Sequence, residues 1–183
     1  RGTHIPRKLC RWCSTMNKKL TFLLSLTFLF LFSGSSTASS VVSLVSNKNA
    51  DPLIRVISSH FYVGTRDSLN DKFIWSESDF VPLIPENTCY GWEIQLDTER
   101  ESVQLKEVFI LPSEPKSWGD ENDISLQHGN RVSVMEKETK VEARIISNSW
   151  CVTEGDPTGD YKIDVFVNGV LVESFNFIVG LKL

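Results

Sequence analysis

From residue 41 onward, apolar and polar side chains alternate with a period of two, and no stretch of a dozen residues sustains the 3.6-residue period of a helix. The clearest run is Tyr90, Trp92, Ile94 and Leu96, with Gly91, Glu93, Gln95 and Asp97 between them. It predicts a strand with one buried face and one wet face. The same reading places strands at 53–63, 72–75, 103–111, 131–135, 140–146, 161–167 and 171–179. Turn residues separate them, among them Pro82, Pro85, Pro112, Pro115, Gly129, Gly155-Asp156-Pro157 and Asn168-Gly169.

Register in the last hairpin follows from burial. A two-residue type I′ turn at Asn168-Gly169 pairs Val167 with Val170, and a regular ladder then turns Tyr161, Ile163 and Val165 away from Phe175, Phe177 and Val179. A three-residue loop of Val167, Asn168 and Gly169, with Gly169 left-handed in a G1 bulge, brings both apolar sets to one face. Burying these side chains is worth about 1.5 to 3 kcal/mol each, which outweighs preferences among turn types. The three-residue loop is therefore the expectation, with Val165 opposite Leu171 and Tyr161 opposite Phe175.

Seven or eight short strands at this spacing fit an all-β, antiparallel two-sheet sandwich of immunoglobulin-like kind, because a parallel α/β sheet needs intervening helices. Residues 155–179, GDPTGDYKIDVFVNGVLVESFNFIV, resemble the closing hairpin of small exported bacterial domains with an immunoglobulin-like sandwich and no assigned function. Cys89-Tyr90-Gly91-Trp92 and the strand ending Val108-Phe109-Ile110-Leu111-Pro112 are similar to the same pattern. The resemblance spans 52–183. It implies the fold and carries over no catalytic residue.

Charge becomes informative once the first 38 residues are set apart, since they hold six Lys/Arg and no acid. The remaining 145 residues (183 − 38) carry 13 basic and 23 acidic side chains, a formal charge of 13 − 23 = −10. Such a surface repels polyphosphate, so no nucleic acid partner is expected. Within the leader, Lys18 and Lys19 precede an apolar run from Leu20 to Phe32, and small residues follow it. That is the pattern of a secretory signal peptide, Met16 to Ala38, with cleavage after Ser36-Thr37-Ala38. Thirteen helical residues rise about 20 Å, short of a hydrocarbon core of about 30 Å, so membrane contact is expected only transiently, during export. Residues 1–15, upstream of the first methionine, are read as translated upstream sequence or as a longer basic leader. Their Cys10-x-x-Cys13 has no second pair to complete a metal site. The expected organisation is a leader at 1–38, a linker at 39–51 and a β-sandwich at 52–183, in a secreted or periplasmic protein.

Beyond the leader only Cys89 and Cys151 remain, and an oxidising compartment favours a disulfide between them. Trp92 and Trp150 are expected in the core, packed near that bridge as in immunoglobulin-type sandwiches. His60 and His128 stand apart from any ligand spacing, and there is no G-x-S-x-G, Walker loop or G-x-G-x-x-G, so no metal, cofactor or catalytic residue is assigned. The candidate binding residues are Trp75 and Trp118, in polar, turn-rich surroundings, with Asp120 and Asp123 of the acidic stretch SWGDENDIS. A loop indole can stack on a sugar or anchor a protein contact. The expected function is a non-enzymatic binding or interaction module with an unknown protein or glycan partner. The alternatives are a carbohydrate-binding module using the loop tryptophans and a carboxylate-based hydrolase, whose two acids would face each other across a cleft.

Overall fold

The computed structural model describes residues 54–69, 71–118 and 124–181. The leader, the linker, Asp120 and Asp123 lie outside them. Among the described residues ten strands run in chain order: β1 Arg55–Asp67, β2 Lys72–Glu77, β3 Phe80–Pro82, β4 Thr88–Asp97, β5 Ser102–Ile110, β6 Ile124–Gln127, β7 Val132–Lys140, β8 Ile145–Cys151, β9 Gly159–Val167 and β10 Val170–Gly180. They form a four-stranded sheet, β2-β1-β4-β8, and a six-stranded sheet, β3-β10-β9-β5-β7-β6. Every pairing is antiparallel except the short β3–β10 contact. The expected all-β sandwich is present, and the described residues contain no helix.

Alternation sets the two inner faces against each other. Tyr90, Trp92, Ile94 and Leu96 of β4 point inward with Ile146 and Trp150 of β8, and all six are buried. Leu105 and Phe109 of β5, Tyr161, Ile163 and Val165 of β9, and Phe175, Phe177 and Val179 of β10 answer from the other sheet. Aromatic rings join the layers, with Phe61 stacked on Phe177 at 4.5 Å between centroids and Trp92 on Phe175 at 6.3 Å. Each ring buries a large apolar area and locks its neighbours in register.

The last hairpin reaches the expected burial by another route. Val167 pairs with Val170 across a two-residue turn, with Asn168 at φ 49° and Gly169 at φ 80°. The change of parity comes one step later, where the ladder slips between Leu171 and Glu173. That bulge sets Phe175 opposite Ile163 and Phe177 opposite Tyr161, so both apolar sets face the core. Gly169 is left-handed as expected, but the three-residue loop is not formed. A bulge absorbs the extra residue at no cost to the favoured turn.

The strand expected at 140–146 is interrupted by a turn: Lys140 ends β7, and Ile145 and Ile146 open β8. Ala143 and Arg144 both have positive φ, 52° and 67°, and Glu142 and Ile145 exchange backbone hydrogen bonds of 2.9 and 3.1 Å. The turn carries the chain from one sheet to the other, and no glycine, proline or asparagine marks it in the sequence. The short strands β3 and β6 were also not expected from the pattern.

Cys89 and Cys151 are disulfide-bonded, with Cα atoms 3.9 Å apart. They are directly paired residues of neighbouring strands β4 and β8. Their phase is opposite to that of Trp92 and Trp150, so the bridge lies on the outer face of the four-stranded sheet. The expectation that the two indoles pack beside it is corrected: both turn inward, toward a different partner.

Candidate functional site

That partner is Glu107. Along β5 the inward positions run Val103, Leu105, Glu107, Phe109, and only the glutamate breaks the apolar series. It is 1% exposed. Its Oε2 accepts hydrogen bonds from Trp92 Nε1 at 2.6 Å and Asn148 Nδ2 at 3.1 Å, and its Oε1 accepts one from Trp150 Nε1 at 2.9 Å. All three donors belong to the opposite sheet, so the carboxyl group ties β5 to β4 and β8 through the middle of the sandwich. Loss of solvent pushes its pKa above the usual carboxylate range; the three N–H donors and the charge of Lys137 pull the other way without cancelling that effect. Sequence reading missed this residue, although a signal was present: a glutamate in the apolar phase of a strand must find donors inside the core.

A second group lies on the outer face of the four-stranded sheet. Register places Trp75 of β2 beside Gly64 of β1, and Gly64 beside Cys89 of β4. A methyl group built on Gly64 would meet Cδ2, Cε2 and Cε3 of Trp75 at 2.8 to 2.9 Å. Near-equal distances to three ring atoms mean that the indole lies flat on the strand, with its opposite face turned outward. Only a residue without Cβ permits this approach. Phe73 extends the aromatic surface, its ring centroid 6.1 Å from that of Trp75. Trp75 Nε1 is shielded and has no hydrogen-bond partner among the described residues.

On the same face, the His60 and Tyr62 rings stack at 5.9 Å. His60 Nδ1 lies 2.7 Å from Glu77 Oε1, and because a carboxylate can only accept, that nitrogen carries the proton. Glu93 is the cross-strand partner of His60. Burial raises the pKa of the Tyr62 hydroxyl, and the Glu93 and Glu77 carboxylates raise it further. Four aromatic side chains and two carboxylates thus share one sheet face.

Trp118 takes no part in this surface. It is 2% exposed, packs edge-on against Phe109, and donates its Nε1–H to the Asn130 carbonyl at 2.6 Å. The expectation of an exposed binding indole at Trp118 is corrected: the ring is part of the core cluster. Trp75 and Trp118 are not brought together, since one lies on the outer face of one sheet and the other packs against the inner face of the second. Among the described residues, no group of three or more His, Cys, Asp or Glu side chains is arranged to hold a metal ion.

No curated protein matches the chain. A crystal structure of an immunoglobulin-like protein from Pseudomonas aeruginosa is similar to it at 19% identity and a TM-score of 0.49, covering 73% of this chain and 99% of that one. The family model for the PM0630 beta sandwich domain matches residues 59–180, from within β1 to the last residue of β10. By that match over more than half of its length, the chain belongs to the PM0630 beta sandwich domain family.

Proposed function

We propose that this protein is an exported, non-catalytic binding module, secreted or periplasmic, whose recognition surface is the outer face of the four-stranded sheet. The observation that carries this reading is the half-buried Trp75 indole laid flat on Gly64, beside Phe73 and on the face that also holds the His60–Tyr62 pair. Aromatic groups held rigidly on a sheet offer contact area at little entropic cost. The buried carboxyl of Glu107 is itself no candidate for catalysis: both its oxygens are occupied by core donors, so it does not meet a substrate as general acid or nucleophile. Export is supported by the leader and suits a disulfide-bonded domain. The negative charge beyond the leader disfavours nucleic acid.

Hydroxyl-radical footprinting tests the surface. Mature protein mixed with extract of its own compartment should show protection at Trp75, Tyr62 and His60, with Phe166 on the other sheet unchanged. Equal labelling with and without extract would remove this reading. Intact mass of the exported protein should begin near Ser39, and recovery of the full-length chain in a membrane fraction would refute export.

A further inference from the structure

We propose that two copies of this chain pair through the outer edge of β2, antiparallel about a two-fold axis at Ile74, joining their four-stranded sheets into one sheet of eight strands. Among the described residues β2 pairs with β1 on one side and with no strand on the other. Its six residues keep an unbroken register with β1, contain no proline, and carry their two charges at the ends, Lys72 and Glu77. Native edge strands avoid association by being short or by carrying bulges, proline or charge. The other edges are guarded in this way or lack apolar exposure. β3 has three residues and ends in Pro82, β6 has four, and β1 before Tyr62, beyond the reach of β2, is bulged between Val56 and Ser58. β8, β3 and β6 hold no exposed large apolar side chain among the described residues, whereas Ile74 of β2 is 62% exposed. The Trp75 indole leans over Gly64 of β1, away from this edge.

The strand is complementary to itself in one register. Directly opposed residues of an antiparallel pair share a face, and a two-fold axis between neighbouring antiparallel strands keeps outer face beside outer face, so it must pass through a residue and not between two. An axis at Phe73 sets Ile74 against Lys72, and one at Trp75 sets Ile74 against Ser76 and Phe73 against Glu77. At Ile74, the two isoleucines face each other, Phe73 of each copy faces Trp75 of the other, and Lys72 faces Ser76, so apolar meets apolar throughout. Asp71 and Glu77 are opposed at the ends, and each is already held by a basic group of its own copy, Arg66 at 2.6 Å and His60 at 2.7 Å. A six-residue ladder is about 20 Å long and buries less than a permanent dimer needs, so a Kd of roughly 10 to 100 µM is expected. The axis leaves both outer faces on one side of the joined sheet. The pairing does not depend on what that face recognises.

The test is sedimentation equilibrium of mature protein from about 1 to 500 µM, which spans the expected Kd. A monomer–dimer equilibrium is expected. Ile74→Lys sets two ammonium groups against each other at the axis and should weaken it roughly tenfold or more, while Ile74→Val leaves it within about threefold. Since residue 74 is exposed, both variants should keep the wild-type thermal midpoint. Each copy carries a formal charge of −10 beyond the leader, so dimerisation should strengthen severalfold as added salt shortens the screening length from about 30 Å at 0.01 M to about 8 Å at 0.15 M. Register is read by cross-linking. With diamide as oxidant, Ile74→Cys should form an intermolecular disulfide at least tenfold faster than Ile178→Cys, a comparably exposed position on the other sheet. A monomer at every concentration would overturn the inference, as would a dimer indifferent to Ile74→Lys, one weakened by salt, or equal cross-linking of the two cysteine variants. None of these results bears on the footprint at Trp75, Tyr62 and His60 in extract, so the two readings fail separately.

Discussion

Glu107 and Glu93 make an instructive pair. Each sits in a long strand among aromatic neighbours, yet Glu107 is sealed between the sheets with three donors on its oxygens, while Glu93 lies on an open face. The difference is one of phase. Glu93 occupies a polar position in β4, flanked by inward-pointing Trp92 and Ile94, whereas Glu107 takes an inward position in β5 between Leu105 and Phe109. Burial converts the same functional group from a solvated surface charge into an inter-sheet tie, because a carboxylate without water must be fully hydrogen-bonded by protein. The disulfide completes the contrast. Where many sandwiches join their sheets by a bridge through the core, this one spends its cystine within a single sheet and joins the sheets by hydrogen bonds.

Substitutions that separate the two environments should differ in size. Glu107→Ala leaves the Trp92, Trp150 and Asn148 donors orphaned and opens a cavity. At about 1 to 3 kcal/mol for each unpaired group, a loss of about 5 kcal/mol or more is expected, enough to unfold a domain of ordinary stability. Circular dichroism with urea would register it, and a loss under about 1 kcal/mol would refute the tie. Replacing Cys89 and Cys151 together by Ser opens a loop with a sequence separation of 62, and chain entropy puts the cost on the order of 4 kcal/mol. Chemical denaturation of the double variant measures it.

Glu107→Gln keeps the shape and one acceptor but turns an amide donor toward other donors, for a loss of about 1 to 3 kcal/mol. Its pH dependence carries more information. The carboxyl pKa is raised on folding, so the native state holds the proton more readily than the unfolded chain. The contribution of Glu107 is therefore fully present below the ordinary carboxylate pKa and declines as pH rises through the raised value. Relative to wild type, Glu107→Gln should be at its worst in acid and recover as pH increases, as paired denaturation curves at several pH values would reveal. The opposite trend would mean that the donors, not desolvation, govern the group.

Gly64→Ala sharpens the outer-face side of the comparison. The new methyl would fall 2.8 Å from the indole and force it off the strand. A stability loss of about 1 kcal/mol with a changed Trp75 emission spectrum is expected. Smallest of all should be Glu93→Gln, within about 0.5 kcal/mol of wild type in the same denaturation assay, since no core donor depends on that carboxylate. A loss comparable to that of Glu107→Gln would erase the distinction between the two sites.

Much of the fold was legible in residue order. Alternation located most of the strands and the inward residues of β4, β9 and β10, and the two cysteines beyond the leader sufficed for the disulfide. Elements too short to show a period, such as β3, and the turn at Ala143-Arg144, which lacks any residue that favours positive φ, were not legible. In the last hairpin the sequence required that both apolar sets be buried, and main-chain pairing decided where the extra residue went.

For the candidate site the division is sharper. Trp75 and Trp118 both read as loop tryptophans beside polar residues, and nothing local distinguishes the one lying on the sheet from the one closing the core. The sequence by itself determined the class of protein, an all-β sandwich with one disulfide, because period-two burial and cysteine count are properties of the chain alone. Only the tertiary structure decided that Glu107 meets two indoles and an amide from the other sheet, and that Trp75 rests on Gly64. Those contacts join residues brought together by sheet packing and strand register, and the energy that selects them exists only once the layers close.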